Sequence, residues 1–212
     1  MYTASLAATT RMDSHEIAIA YAMLAIGAGE FCAGTFFGIS GNSRGSQFGR
    51  KRVAVIGTCL LLVANVLSII NLPPDAPLHE TDNIGFIEPS LWIALFVAFL
   101  LGLADCCWQT QTYTILGGMY KDEQSPPAFA LFRCFQALST SIGCFIAPQF
   151  ELYWTLLMTS VLSIAASCAF CAVNKMALER YHDDIEKSEF SSIESQSPPP
   201  SPTEEKITSN FI

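Results

Sequence analysis

Two acidic side chains lie inside long apolar stretches of this sequence. Asp105 falls in the middle of the apolar residues 91–116, and Glu30 is the one charged residue of the apolar residues 17–40. A carboxylate inside a bilayer costs a few kcal/mol unless it faces protein, a partner or water, so such groups commonly mark ion or substrate pathways. Asp105 and Glu30 are therefore candidates for carrying a proton or meeting a cation, and the alternative is a structural acid hydrogen-bonded to a neighbouring helix.

Further polar side chains follow Asp105 at helical spacing. At about 100° per residue, Asp105, Gln109 and Thr112 fall on one stripe of a helix, with Trp108 beside them. Gln111 lies about 120° away from that stripe. Gln109 and Gln111 could line a polar path or could hydrogen-bond between helices, and the sequence leaves both interpretations open.

No other set of residues has the spacing of a catalytic or metal-binding site. The three histidines are not spaced as metal ligands, and the sequence has neither a glycine-rich nucleotide loop nor a paired nucleophile and base. We therefore expect no enzymatic activity, no metal and no cofactor. All eight cysteines lie in apolar segments, which favours small buried hydrophobic side chains over disulfides. Cys168 and Cys171 have C-x-x-C spacing, but no second pair accompanies them.

The composition is typical of a polytopic membrane protein. Of the 212 residues, 51% are hydrophobic and only 14% are charged, which is more apolar than a soluble domain of this size. The net charge is -8, and the acidic residues are concentrated in the loops and the C-terminal tail. Outside one short loop there is no basic patch with interleaved aromatic residues, so we do not expect nucleic-acid binding.

Five apolar segments are long enough to cross a bilayer core of about 30 Å, which takes roughly 20 helical residues. They predict an all-α membrane protein that is embedded in the lipid bilayer. Residues 1–16 are predicted to be a polar N-terminal segment, and the acidic, Ser- and Pro-rich residues 174–212 a disordered cytosolic tail. Residues 17–173 are predicted to form a five-helix bundle with spans at residues 17–40, 53–72, 91–116, 127–146 and 152–173.

The charges in the loops predict an orientation. Residues 41–52 carry four basic residues and no acidic one, whereas residues 73–90 carry four acidic residues and neither Lys nor Arg. Because Lys and Arg stay preferentially on the cytoplasmic side, we expect the N-terminus outside or in a lumen and the C-terminus in the cytosol. The sequence does not indicate which membrane houses the chain.

Three further residues invite specific expectations. Gly34 and Gly38 have the GxxxG spacing that lets another helix approach closely, with a gating kink as the alternative. Arg133 lies about two turns from the predicted cytosolic end of its span. It could extend to the interface or pair with Asp122 or Glu123.

The segment FLLGLADCCWQTQTYTILGGMYKDEQSPPAFALFRCFQ resembles the Unc-93-like branch of the major facilitator superfamily. The matching elements are the glycine before Asp105, then Thr110 and Gln111, then ILG, and PAFA leading to Arg133. The stretches IGAGEFCAGTFFG, FGRKRVAVIG, NLPPDAP and IEPSLWIALFVAFLLG are also similar to that family, so the resemblance covers most of residues 17–173.

The resemblance implies that the five spans correspond to helices eight to twelve of a twelve-helix fold. We therefore expect a partial chain or a short isoform that contains only the C-terminal half. Gly49, Arg50 and Lys51 match the end of the cytosolic loop motif of the superfamily. Ser46 stands where many transporters have an acidic residue, which departs from the pattern of that motif.

The resemblance also implies two functions. The first is secondary transport of an unknown substrate, linked to a proton or cation through Asp105 and Glu30 near the interface between repeats. The alternative is a non-transporting regulatory or trafficking partner of an ion channel or receptor. The partners that these functions imply are the N-terminal half, another copy of the chain, or a channel or receptor subunit.

Overall fold

A computed structural model of the chain describes residues 15–40, 47–74, 86–120, 122–146 and 149–196. The predicted N-terminal segment lies almost entirely outside these residues, as does the end of the predicted tail from residue 197. Five α-helices make up nearly all of the described chain, with one short 3-10 turn at Asp122–Gln124 before the fourth. The helices are α1 at His15–Ser40, α2 at Gln47–Asn71, α3 at Leu91–Met119, α4 at Ser125–Ile146 and α5 at Leu152–Gln196.

Each of the five helices contains a segment long and apolar enough to cross a membrane, which confirms the predicted all-α class. The described residues contain no strand. α4 begins at Ser125, so Pro126 and Pro127 occupy its first turn, where a missing backbone N–H costs no hydrogen bond. The candidate spans are Ile17–Ile39, Lys51–Asn71, Leu91–Met119, Ser125–Ile146 and Leu152–Glu179.

α5 continues beyond the predicted end of its span at residue 173 and ends only at Gln196. The chain divides into two compact units, Met1–Asn174 and Lys175–Ile212, so the helical residues past the boundary belong to the second unit. Lys175 and Glu179 form an i,i+4 ion pair with a 3.8 Å N–O distance. Adding residues to an existing helix avoids the cost of nucleation, so a polar sequence rich in helix formers can extend a span.

α1 and α3 pack in parallel through small residues. A Cβ atom added to Gly29 would overlap the carbonyl oxygen of Phe99, and one added to Gly102 would overlap the carbonyl oxygen of Ile26. The two backbones are therefore in direct contact, which only glycine permits. Toward the N-termini of both helices, the contact continues through buried alanines at positions 18, 22, 94 and 98.

The glycines singled out by the sequence do not make this contact. A Cβ added to Gly38 would meet no atom within 4 Å, and one added to Gly34 would meet only Cys106 Sγ, at 3.9 Å. Gly34 therefore makes only an ordinary contact with α3 and Gly38 faces open space, so among the described residues neither glycine makes the close approach expected from the GxxxG spacing. The close approach uses Gly29 instead, because this side of α1 faces the glycine of α3.

α2 packs antiparallel against α3. Ala64 of α2 is fully buried in a cluster with Val97 and Leu100 of α3. Further along, a Cβ added to Gly57 would lie 3.0 Å from the Cβ of Cys107. Later residues of α2 therefore contact earlier residues of α3. This is the antiparallel arrangement expected for two helices joined by one loop.

α5 is attached to α2 by side-chain hydrogen bonds as well as by apolar contacts. The hydroxyl groups of Thr58 and Ser167 are hydrogen-bonded, and Asn65 Nδ2 donates to Ser160 Oγ at 2.9 Å. These side chains are buried or half-buried, so water is largely excluded from both bonds. Interhelical bonds of this kind join membrane helices where lipid cannot satisfy polar groups.

One end of the bundle is closed by a reciprocal pair of hydrogen bonds. The side chain of Asn71, which is fully buried, accepts a bond from the backbone N–H of Ser90 at 2.9 Å. Its Nδ2 donates to the carbonyl oxygen of Ser90 at 3.3 Å. The backbone N–H of Leu152 donates to the carbonyl oxygen of Pro74 at 2.8 Å. The end of α2 is thus tied to the starts of α3 and α5.

Candidate functional site

Asp105 lies on an exposed part of α3, one turn before Gln109. Nε2 of Gln109 donates a hydrogen bond to Oδ2 of Asp105, as the four-residue spacing on a helix allows. The structure therefore brings together two of the residues that the sequence placed on one polar stripe. The third, Thr112, bonds instead to the carbonyl oxygen of Trp108 in its own helix, at 2.9 Å.

Glu30 is also exposed. It follows Gly29 directly, and Asp105 comes three residues after Gly102, so both acids adjoin the crossing of α1 and α3. At about 100° per residue, Glu30 is rotated forward from Gly29, whereas Asp105 is rotated about 60° back from Gly102. Because the two helices run in parallel, these opposite rotations are expected to turn both carboxylates toward one side. We name the exposed parts of α1 and α3 that carry Glu30 and Asp105 the acidic face.

A row of polar contacts leads from the acidic face toward α4. The amide of Gln109 bonds to Asp105 through its nitrogen, and its Oε1 accepts a hydrogen bond from the Tyr113 hydroxyl at 3.4 Å. Tyr113 lies one further turn along α3. The Asp105 carboxylate is thus connected through one amide to an aromatic side chain that contacts another helix.

Aromatic side chains of α4 surround the Tyr113 ring. The ring centroids of Phe129 and Phe132 lie 5.8 Å and 5.7 Å from that of Tyr113. The guanidinium carbon of Arg133 lies 5.2 Å from the same centroid, which is within the range of a cation–π contact. Arg133 also donates to Oε1 of Gln136 at 2.9 Å.

The pairing considered for Arg133 differs from the one observed. Neither an ion pair nor a hydrogen bond links Arg133 to Glu123 in the described part of the chain, and the side chain of Asp122 lies outside it. Arg133 is exposed and contacts a ring and an amide, so Glu123 does not neutralise its charge, and the expected alternative Asp122 lies outside the described side chains.

Gln111 is buried away from the acidic face, with only 6% of its surface exposed. It lies on the side of α3 that also carries Cys107 and Ile115, where α2 packs. Among the described residues its side chain has no hydrogen-bond partner. The structure therefore does not bring Gln111 together with Asp105 or Glu30.

The predicted cytosolic loop motif falls within the first turns of α2. Gly49 is half-buried and Lys51 is exposed, while the side chain of Arg50 lies outside the described residues. Gly49 begins no loop here, because α2 already starts at Gln47. The motif residues are therefore helical, and the preceding residues 41–46 are outside the described chain.

The described residues contain no group of three or more His, Cys, Asp or Glu side chains arranged to hold a metal ion. Trp108, which the sequence placed beside the polar stripe, packs edge-on against Phe170 of α5 with a centroid distance of 5.7 Å. Its neighbours are the buried Ala54 and Ile115. This tryptophan therefore belongs to the apolar packing between helices.

Several residues of interest were not anticipated from the sequence. Tyr113 follows Gln109 at the same four-residue spacing and could have been added to the polar stripe by that signal alone. The hydrogen bond between Asn65 and Ser160 joins residues 95 positions apart, which no local pattern reveals. Polar residues at seven-residue spacing within apolar helices were the available signal at Thr58, Asn65, Ser160 and Ser167.

The five long apolar helices and their charge-poor interfaces define an integral membrane protein of the all-α class. Its sequence identifies the family as well. A profile of the family described as "Ion channel regulatory protein UNC-93" matches residues 1–171, and the chain belongs to that family. The resemblance to Unc-93-like proteins is thereby confirmed.

Individual relatives agree with this assignment. The chain is 36% identical to UNC93-like protein MFSD11 of Xenopus laevis and 35% identical to that of Xenopus tropicalis, over 148 residues in each case. These matches cover 68% of this chain and 33% of each relative. Protein unc-93 homolog A of Bos taurus is 27% identical over 159 residues, which is 73% of this chain and 30% of that protein. The chain thus spans about a third of the length of the relatives it matches. No solved structure matched.

Proposed function

We propose that the chain provides one helical bundle of a secondary transporter of an unknown substrate, in which transport is linked to a proton or cation through Asp105 and Glu30. The observation that supports this most is that both carboxylates are exposed and lie within three residues of the glycines at which α1 and α3 cross. A bilayer makes an exposed carboxylate expensive, so such a side is expected to face water or another part of the assembly.

The proposal also includes the surroundings of the bundle. The acidic face is covered by an N-terminal helical half, by another copy of the chain, or by a channel or receptor subunit. The N-terminus lies outside or in a lumen, and residues 41–52 face the cytosol together with the C-terminus, in accordance with the loop charges. No enzymatic activity, cofactor or nucleic acid enters this function.

Reconstitution into vesicles tests the transport proposal. The purified chain is placed in proteoliposomes that enclose a pH-sensitive dye, and internal pH is followed after a potential is imposed. We expect proton entry faster than in protein-free vesicles, and loss of this excess rate in Asp105→Asn. Glu30→Gln is expected to lower it as well. The matched control is Glu88→Gln, which removes an exposed carboxylate outside the spans and should leave the rate unchanged.

A regulatory function is the second candidate, because the family is described as ion channel regulatory proteins. In this case the acidic face contacts a channel subunit and carries no flux of its own. Vesicles containing the wild-type chain would then behave as protein-free vesicles, while whole-cell ionic current would change on expression of the chain. Asp105→Asn would remove that change in current. This pair of results would overturn the transport proposal.

A further inference from the structure

Tyr113 stands where contacts from the acidic face and contacts from α4 meet. Its hydroxyl donates to Oε1 of Gln109 at 3.4 Å, on the side of α3 that leads to Asp105. Its ring packs against Phe129 and Phe132 and lies beneath the guanidinium group of Arg133. One side chain therefore takes part in both the polar row of α3 and the aromatic contact with α4.

The hydroxyl of Tyr113 favours one orientation of the Gln109 amide. A glutamine side chain has an oxygen that only accepts hydrogen bonds and a nitrogen that only donates them. With its oxygen engaged by Tyr113, the nitrogen is directed at Asp105, where it donates to Oδ2. Turning the amide around would place its oxygen against Oδ2 of Asp105, and two acceptor oxygens would then face each other.

The position of the Tyr113 ring depends in turn on α4. No residue of α4 is buried, so this helix has little other packing to fix it against the rest of the described chain. The aromatic and cation–π contacts between α3 and α4 in the described residues all involve Tyr113. A displacement of α4 would consequently move this ring and, with it, the hydroxyl bonded to Gln109.

We propose that Tyr113 is a positioning residue that couples the placement of α4 to the hydrogen bonding of Asp105 through the Gln109 amide. The inference rests on the proposed function only in taking Asp105 as the carboxylate of the site. It adds a series of contacts through which a movement of α4 would change the hydrogen bonding of the Asp105 carboxylate. The two measurements below do not depend on transport.

The first measurement is the infrared spectrum of the full chain in lipid vesicles. Bands of the Asp105 carboxyl are those lost in Asp105→Asn. Tyr113→Phe keeps the ring and removes the hydroxyl, so we expect these bands to shift, and Tyr113→Leu should shift them equally. Tyr21→Phe is the control, because Tyr21 is an exposed tyrosine of α1 and its hydroxyl has no role in this row. Unchanged Asp105 bands in Tyr113→Phe would overturn the inference.

The second measurement is the distance between spin labels on α2 and α4. Labels at Val55 and Leu138, both exposed, are introduced into a cysteine-free background. We expect the distance distribution of Tyr113→Phe to match the unsubstituted protein and that of Tyr113→Leu to broaden. An unchanged distribution in Tyr113→Leu would show that α4 does not depend on this ring, and would also overturn the inference.

These outcomes separate the inference from the proposed function. If the vesicles show no proton flux but the Asp105 bands shift in Tyr113→Phe, the transport proposal fails and the coupling stands. Because Tyr113→Phe retains the ring, its result can be interpreted even if Tyr113→Leu does not fold, which far-UV circular dichroism would reveal.

Discussion

Asn71 illustrates how a single buried amide can serve as a connector in this protein. Its side chain satisfies both the N–H and the carbonyl oxygen of one backbone residue, Ser90, at the start of α3. An amide is suited to this because it carries a donor and an acceptor side by side. The hydroxyl of Ser90 takes no part, since no side-chain hydrogen bond caps α3 there.

This arrangement predicts that replacing Asn71 lowers the stability of the protein, whereas replacing the side chain of Ser90 hardly changes it. Asn71→Ala leaves the backbone N–H of Ser90 without its partner and should lower the free energy of unfolding by about 1–3 kcal/mol, whereas the Ser90 carbonyl oxygen keeps its bond from the Ala94 N–H. Ser90→Ala keeps the backbone groups and should change it by less than about 0.5 kcal/mol. Unfolding in mixed detergent micelles, followed by circular dichroism, measures both. Equal destabilisation by the two substitutions would contradict the backbone assignment.

The bond between Asn65 and Ser160 can be isolated by a double-mutant cycle. Asn65→Ala, Ser160→Ala and the double variant are unfolded under the same conditions. Hydrogen bonds between membrane helices contribute about 0.6 kcal/mol on average and up to about 1.7 kcal/mol, so we expect a coupling energy in that range. The pair Thr140 and Ser160 is the control, because the Thr140 hydroxyl bonds to its own helix and should show no coupling.

At the scale of the helices, packing depends on where glycine occurs. Gly102→Leu would force a side chain into the backbone of α1, and overpacking of this kind costs about 1–3 kcal/mol. The matched substitution Gly38→Leu has open space around it and should be nearly neutral. The same unfolding measurement distinguishes them. A neutral Gly102→Leu would mean that α1 and α3 do not approach as closely as described.

Length and apolarity are local properties, which is why the five helices could be predicted from the sequence. The pairing of helices could not, because Gly34 and Gly29 look equally suited to close packing until the partner surface is known. The contact between Asp105 and Gln109 follows from helical spacing and was foreseeable. The acidic face was not, since the juxtaposition of Glu30 with Asp105 depends on how α1 and α3 cross.

The end of α5 shows a second limit of sequence patterns. Residues 174–212 are acidic and rich in Ser and Pro, and this composition predicts disorder from residue 174. A helix that is already formed needs no new nucleus, however, and α5 continues to Gln196. Composition alone therefore does not predict that the helix of the last span continues beyond residue 173.

For the whole molecule, orientation in the membrane can be tested directly. In a cysteine-free background, Glu88→Cys and Lys51→Cys place single thiols at exposed positions near opposite ends of the bundle. We expect an impermeant maleimide applied from the outer or lumenal side to label position 88 only. Position 51 should react after the cytosolic side is opened. The reverse pattern would invert the predicted topology.

The backbone contact between α1 and α3 has a consequence for how the chain is assembled. The two helices are separated in sequence by all of α2, so α1 enters the bilayer well before its partner has been synthesised. During this interval Gly29 cannot make its backbone contact with α3. The contact between α1 and α3 can therefore form only after Gly102 has been synthesised. If translation stopped before residue 102, α1 would lack the surface of α3 against which it packs.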